Sequence, residues 1–231
     1  LLVDTLTHLH TVDVDQFDDI CERVRPTEQV AQTLAQLEDA TNATEHDCES
    51  LWWVADWLEQ NTPERSATAL VHGDYEPDNV FWTWSDGPRV SAVVDWETAM
   101  IRDPRTELGN LLFYWCAATD PSPSIDEFAD QHSDAVITEL RRRDQRGCWS
   151  FTSEPGSAGR HDLVSQWERT TGLEYDNDRF YRSFSAFMLA TVWEGLYADA
   201  LEHGEDSSDW EAHIEYVARL ARMIATGEVP L

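Results

Sequence analysis

Leu70-Val71-His72-Gly73-Asp74-Tyr75-Glu76-Pro77-Asp78-Asn79, followed further on by Val93-Val94-Asp95-Trp96-Glu97, is the stretch whose reading decides this chain. Between its two parts lie Val80-Phe81-Trp82-Thr83-Trp84 and Val90-Ser91-Ala92-Val93-Val94, two β-type runs flanking Ser85-Asp86-Gly87-Pro88. Such runs around a Gly/Pro turn predict a hairpin. With the turn centred between Asp86 and Gly87, facing residues have numbers summing to about 173, which sets Asn79 opposite Val94 or Asp95. An amide oxygen and a carboxylate then meet at the open end of the hairpin, with Asp74 in the same loop as Asn79. Oxygens of this kind suit Mg²⁺, which prefers carboxylate, amide and phosphate ligands and keeps some of its waters. Asp74 is left to accept a proton or to orient a hydroxyl.

Upstream of the loop the pattern is helical from Leu1 to about Asn61. An acidic connector covers Val12 to Arg25, Thr27 is the expected cap of a helix carrying Val30, Leu34 and Leu37, and Cys48 to Asn61 presents Leu51, Trp52, Ala55 and Leu58 on one face. Ala69-Leu70-Val71 is a further short β run. Downstream, Asp103-Pro104 reads as N-cap and first helical residue. Leu108, Leu111, Leu112 and Trp115 follow on that helix. Ile125 to Arg146 is expected to be helical, Gly147 to Gly159 a loop, and His161 to Thr171 a short helix stopped by Gly172. Asp178 to His203 is apolar over much of its circumference, which predicts the central core helix. An amphipathic helix over Asp209 to Thr226 precedes Gly227. The expected fold class is α+β and mainly helical. It is one domain over residues 1–231, with the loop and hairpin at 70–97 and a helical substrate subdomain at 104–231.

The chain of 231 residues carries 45 Asp and Glu against 16 basic residues, all of them arginine, for a formal charge of -29. That field repels polyanions, which excludes non-specific binding to nucleic acid or to an anionic membrane surface. Disorder is excluded by 42% apolar residues and 11 Trp, enough to build a core. Acidity with lysine absent suits a halophilic protein. Molar salt shortens the Debye length to roughly 3 Å, and the crowded carboxylates are expected to loosen the fold below roughly 0.5 M salt. Cys21, Cys48, Cys116 and Cys148 show no zinc-ligand spacing and read as free thiols in a reducing cytoplasm. No apolar run approaches the roughly 18 residues of a membrane span.

His72-x-Asp74, Asn79 and Asp95 follow the logic of kinase catalytic loops, in which a base, an Asn and an Asp serve phosphoryl transfer. The His-Gly-Asp form, with Asp95-Trp96-Glu97, Asp103-Pro104, Glu107-Leu108-Gly109 and Glu194-Gly195-Leu196-Tyr197, closely resembles the aminoglycoside/choline-kinase-like phosphotransferase family. The branch it is most similar to is that of kinase-like domains fused to acyl-CoA dehydrogenases. The resemblance implies the C-terminal lobe of a protein-kinase-like fold. Asp74 would then be the catalytic aspartate, Asn79 and Asp95 the Mg²⁺ ligands, and His72 and Asp103 braces of the loop. ATP would be the co-substrate and a small-molecule hydroxyl the acceptor, with Trp96, Glu97, Trp115, Trp193 and Glu194 (and Tyr114) as possible cleft residues. Arg102 and Glu107 depart from the family pattern, where Gly and Asp are frequent.

The family's nucleotide lobe, with its Gly-rich loop and paired lysine, has no counterpart in this sequence. The chain is therefore expected to be a fragment, inactive alone and prone to self-association through Phe81, Trp82 and Trp84. A non-catalytic kinase-like binding module and a metal-dependent phosphohydrolase are the competing readings. His8 and His10 stand on different sides of their helix and are not expected to pair on a metal. Arg141-Arg142-Arg143 reads as a salt-bridged solvated face.

Overall fold

Pro26 at the first position of its helix shows how local chemistry places the elements. A proline there loses nothing, because that N–H has no intrahelical partner. The computed structural model describes residues 1–231 apart from 65, 145–148, 206 and 208. Its helices before the loop are α1 (Leu2–His10), α2 (Pro26–Thr44) and α3 (Glu49–Asn61). The N-cap of α2 is Arg25, whose backbone N–H is accepted by Glu28, so Thr27 lies inside the first turn rather than capping it.

Four short strands follow: β1 (Ala69–Val71), β2 (Val80–Thr83), β3 (Arg89–Val93) and β4 (Met100–Arg102). Strands β2 and β3 form the expected antiparallel hairpin, with Val80 opposite Val93 and Phe81 opposite Ala92. The pairing then shifts to Trp82 opposite Val90, so Ser91 is the extra residue of a bulge, and its hydroxyl donates to Phe81 O at 3.1 Å. The second pair has no signal in the sequence pattern. Strand β1 lies antiparallel to β4, with Leu70 opposite Ile101, and so ties the start of the loop to the segment after Asp95.

The remaining helices are α4 (Pro104–Tyr114), α5 (Asp134–Asp144), α6 (Arg160–Thr171), α7 (Asp178–His203) and α8 (Trp210–Thr226). The continuous helix expected over Ile125 to Arg146 is broken. A 3-10 turn covers Ile125–Phe128 and α5 begins only at Asp134. The break lets Phe128 fold back onto Ile137 and Leu140 as a small separate cluster, with the Arg219 guanidinium 4.3 Å over its ring. Residues 145–148 of the expected helix and loop lie outside the described residues.

Helix α7 is the core helix, buried along Phe180, Tyr181, Phe184, Phe187 and Ala190 and packed against α2, α3, α4 and α8. Gly109 permits the approach of α4, because a Cβ there would stand 2.6 Å from the Tyr181 Cβ. Gly172 and Gly227 end α6 and α8 in the left-handed conformation. Among the described residues no helix is long and apolar enough to cross a membrane. The expectation of four free thiols is corrected. Cys116 is disulfide-bonded, Cys21 and Cys48 are free, and Cys148 lies outside the described residues. The inference of a reducing compartment loses that support.

Candidate active site

The loop after β1 is held from both sides. His72 is wholly buried, and its imidazole takes two partners. Nδ1 accepts the Asp74 N–H at 3.3 Å, and Nε2 donates to Val94 O at 2.8 Å. One ring thus ties the residue carrying the first carboxylate to the residue before Asp95. The Thr98 hydroxyl donates to His72 O at 3.0 Å and closes the same junction. Gly73 turns the chain there at φ +92°, against the Thr98 backbone.

Asn79 stands opposite Val94, as the hairpin register requires, and its carbonyl accepts the Val94 N–H at 3.0 Å. Its side-chain amide donates to Asp74 O at 2.8 Å and to Asp74 Oδ2 at 3.1 Å. Among the described residues no hydrogen bond engages Asn79 Oδ1 or Asp74 Oδ1. Asp95 follows Val94 in the left-handed conformation, φ +67° and ψ +58°. For a non-glycine residue this costs about 1–3 kcal/mol, and Glu45 and Asn177 adopt the same conformation as helix caps. Its carboxylate is exposed, and no hydrogen bond or ion pair engages it among the described residues.

Asp103, read as a loop brace, acts one step away. Its buried carboxylate caps α4 through the Arg105 N–H at 3.0 Å and accepts the Tyr181 hydroxyl at 3.2 Å, which pins α4 to α7. The direct brace is Glu107, one turn along α4. Its Oε1 accepts the Gly73 N–H at 2.7 Å, and its Oε2 accepts His10 Nε2 at 3.0 Å. The Trp167 indole in turn donates to His10 Nδ1 at 2.9 Å. Burial alone would raise the Glu107 pKa. The His10 hydrogen bond, the nearby Arg102 charge and the Gly73 N–H outweigh it and hold the carboxyl below its ordinary value of 4.5. A depressed carboxylate stabilises the fold fully above its unfolded value and ceases to as pH falls through the folded one. Glu107→Gln is therefore expected to flatten the acid limb of stability below pH 4.5, read by urea melts across pH 3–7.

The sequence-derived cleft residues divide. Trp96 is half-exposed at the loop, its ring 4.7 Å from His72 and its indole donating to Val93 O. Glu97 is exposed on the same turn. The Tyr114 hydroxyl pKa is raised by burial and then by the negative Glu76 and Asp74. Its ring lies 5.4 Å from Trp149. Trp149, Phe113, Arg160 and Tyr216 line a cavity of about 430 Å³. Trp115 is buried, its indole bonded to Ala158 O. Trp193 and Glu194 are not brought to the loop. Glu194 is fully buried on Thr44 and His46, and Trp193 packs on His213. At roughly 1.5 Å per residue, Glu194 lies about 20 Å along α7 from Tyr181, the point where α4 crosses.

His8 is exposed and bonded to Asp4 O, whereas His10 is buried, so the two do not converge. Arg141 and Arg142 pair with Asp126 and Glu139 on an exposed face. Among the described residues no group of three or more His, Cys, Asp or Glu forms a metal cluster. The Asn79 and Asp95 oxygens nonetheless suit a cation that takes its other ligands from phosphate and water.

The model of the APH phosphotransferase enzyme family matches residues 1–144, a span that holds α1, the loop, the hairpin and Glu107. The chain belongs to the phosphotransferase enzyme family. Acyl-CoA dehydrogenase family member 11 of Pongo abelii is 24% identical over 220 residues, covering 90% of this chain. The chain spans about a quarter, 24%, of that relative's length. Viomycin phosphotransferase of Streptomyces vinaceus is 50% identical over 42 residues, 18% of this chain and 15% of its own. A solved structure from Ralstonia eutropha, a candidate aminoglycoside phosphotransferase, superposes with a TM-score of 0.69 at 22% identity. It is covered to 63% and covers 98% of this chain, so the family member described here has the aminoglycoside phosphotransferase fold.

Proposed function

We propose that this chain is the catalytic lobe of a small-molecule kinase that transfers the γ-phosphoryl group of ATP to a substrate hydroxyl. The observation that carries the reading is the junction at the hairpin end. Asp74 is oriented by the Asn79 amide, beside an unpaired Asp95 carboxylate held in a strained conformation. Asp74 Oδ1, free of the Asn79 bond, accepts the proton as the substrate oxygen attacks the γ-phosphorus, and ADP leaves with the bridging oxygen. Asn79 Oδ1 and the Asp95 carboxylate would hold Mg²⁺, which neutralises charge on the transferring phosphates. His72 keeps the two halves of the site in register through Val94 and Asp74.

The cavity lined by Trp149, whose ring the Tyr114 ring contacts, offers a place for the acceptor body. Phe81 and Trp84 are 57% and 71% exposed on the hairpin, and a nucleotide lobe covering them is part of the proposal, with self-association its alternative in the isolated chain. Consumption of ATP suits a cytoplasmic enzyme. The test is the full protein with Mg-ATP and a panel of hydroxylated metabolites. At least one should release ADP, and Asp74→Asn should slow that release about 100-fold or more with the fold intact. Undiminished release by Asp74→Asn would overturn the assignment.

A further inference from the structure

Trp167, His10, Glu107 and Gly73 form a chain of hydrogen bonds from α6 through α1 and α4 to the catalytic loop, at 2.9, 3.0 and 2.7 Å. All three side chains in it are at most 7% exposed, so water does not substitute for any partner. An indole nitrogen only donates. His10 Nδ1 is therefore the acceptor, and the single proton of a neutral ring sits on Nε2, aimed at Glu107. Glu107 then faces two donors, His10 Nε2–H and Gly73 N–H, and needs both oxygens as acceptors. The other charged or titratable groups around it are Arg102 on β4 and the Tyr75 hydroxyl from the loop.

We propose that Trp167 and His10 are positioning residues of the catalytic loop. The indole locks the His10 tautomer, that tautomer obliges Glu107 to remain an acceptor on both oxygens, and the second oxygen fixes Gly73 directly before Asp74. The inference rests on the reading of Asp74 as the catalytic aspartate, but its test needs neither substrate nor nucleotide. Failure of one is thus distinguishable from failure of the other.

The lock makes a signed, non-additive prediction. Glu107→Gln offers one oxygen to two donors, so a donor–donor clash falls on either His10 or Gly73. Removing the indole donor by Trp167→Phe frees His10 to move its proton to Nδ1 and present Nε2 as an acceptor. The amide introduced by Glu107→Gln can then donate to His10 while its oxygen serves Gly73. Amide hydrogen exchange at Gly73 is the readout, with α7 core amides as the control for global opening. Glu107→Gln alone is expected to speed Gly73 exchange about 10-fold or more, the range of one lost buried partner. The double variant should be about threefold or more slower than Glu107→Gln alone. Residues that merely fill space would add their losses and exchange faster together.

If Trp167→Phe fails to fold, the ring ¹⁵N shifts of His10 in the unaltered protein decide. A protonated Nε2 and a bare Nδ1 are expected. A proton on Nδ1, or a double variant exchanging as fast as Glu107→Gln or faster, overturns the proposal.

Discussion

Asp95→Ala in the full enzyme is expected to lower turnover by about three orders of magnitude while leaving the melting transition nearly unchanged. The carboxylate contributes to no packing and engages no partner among the described residues, so its loss removes no structural bond. What it removes is a charged group that, on the proposed assignment, shares the cation with the Asn79 amide oxygen. Asp95→Asn is the informative companion. An asparagine tolerates the left-handed conformation at φ +67° and keeps an oxygen, but it carries no charge. Asp95→Asn should thus fall between the two, about 100-fold down, and the gap between the variants separates geometry from charge. Steady-state ADP release at saturating Mg²⁺ measures both. Near-normal release by Asp95→Ala would remove Asp95 from the site.

The hairpin and its register are legible because they depend on neighbours in sequence. A period-two pattern on each side of Ser85-Asp86-Gly87-Pro88 sets Val80 against Val93 without knowledge of the rest of the chain. The Ser91 bulge is not legible, and neither is β4. Met100–Arg102 is three residues long, ends in a buried arginine, and shows no alternation. The break before α5 is hidden for a different reason. Charged residues from Ile125 to Arg146 satisfy a helical pattern, but Phe128 packs on Ile137 and Leu140, and the Ser133 hydroxyl accepts the Val136 N–H to start α5 afresh.

Within the site the same boundary holds. His72, Asp74, Asn79 and Asp95 lie in one continuous stretch and can be assembled on paper. Glu107 is visible only as an unusual residue, and its partner His10 is 97 positions away. Nothing in the spacing of a histidine on α1 and a tryptophan on α6 announces that they share a carboxylate. Such contacts follow from how α1 packs against α6 and β1, which is a property of the assembled fold. Glu194 shows the converse. A conspicuous acidic residue beside two aromatics invites a cleft reading, but packing gives it to Thr44 and His46 instead.

Gly73→Ala is expected to cost about 3 kcal/mol or more of stability and to abolish transfer even in the folded fraction. Two effects combine. At φ +92° an L side chain is strained whatever the space, and here the space is absent, since a Cβ would stand 2.4 Å from Thr98 O and 2.6 Å from Thr98 Oγ1. Thr98 cannot yield cheaply. Its hydroxyl is bonded to His72 O, and it belongs to the turn that carries Trp96 and follows Asp95. Movement at Gly73 also withdraws its N–H from Glu107, which leaves a buried carboxylate short of a donor. Gly87→Ala isolates the two effects. Gly87 has a similar φ of +98° but nothing within 4 Å of its Cβ, so it should cost only about 1 kcal/mol of backbone strain and leave activity intact. Urea denaturation of both variants in molar KCl gives the comparison. Equal losses would mean that the loop yields at Thr98 and that Gly73 is kept for its backbone angle alone.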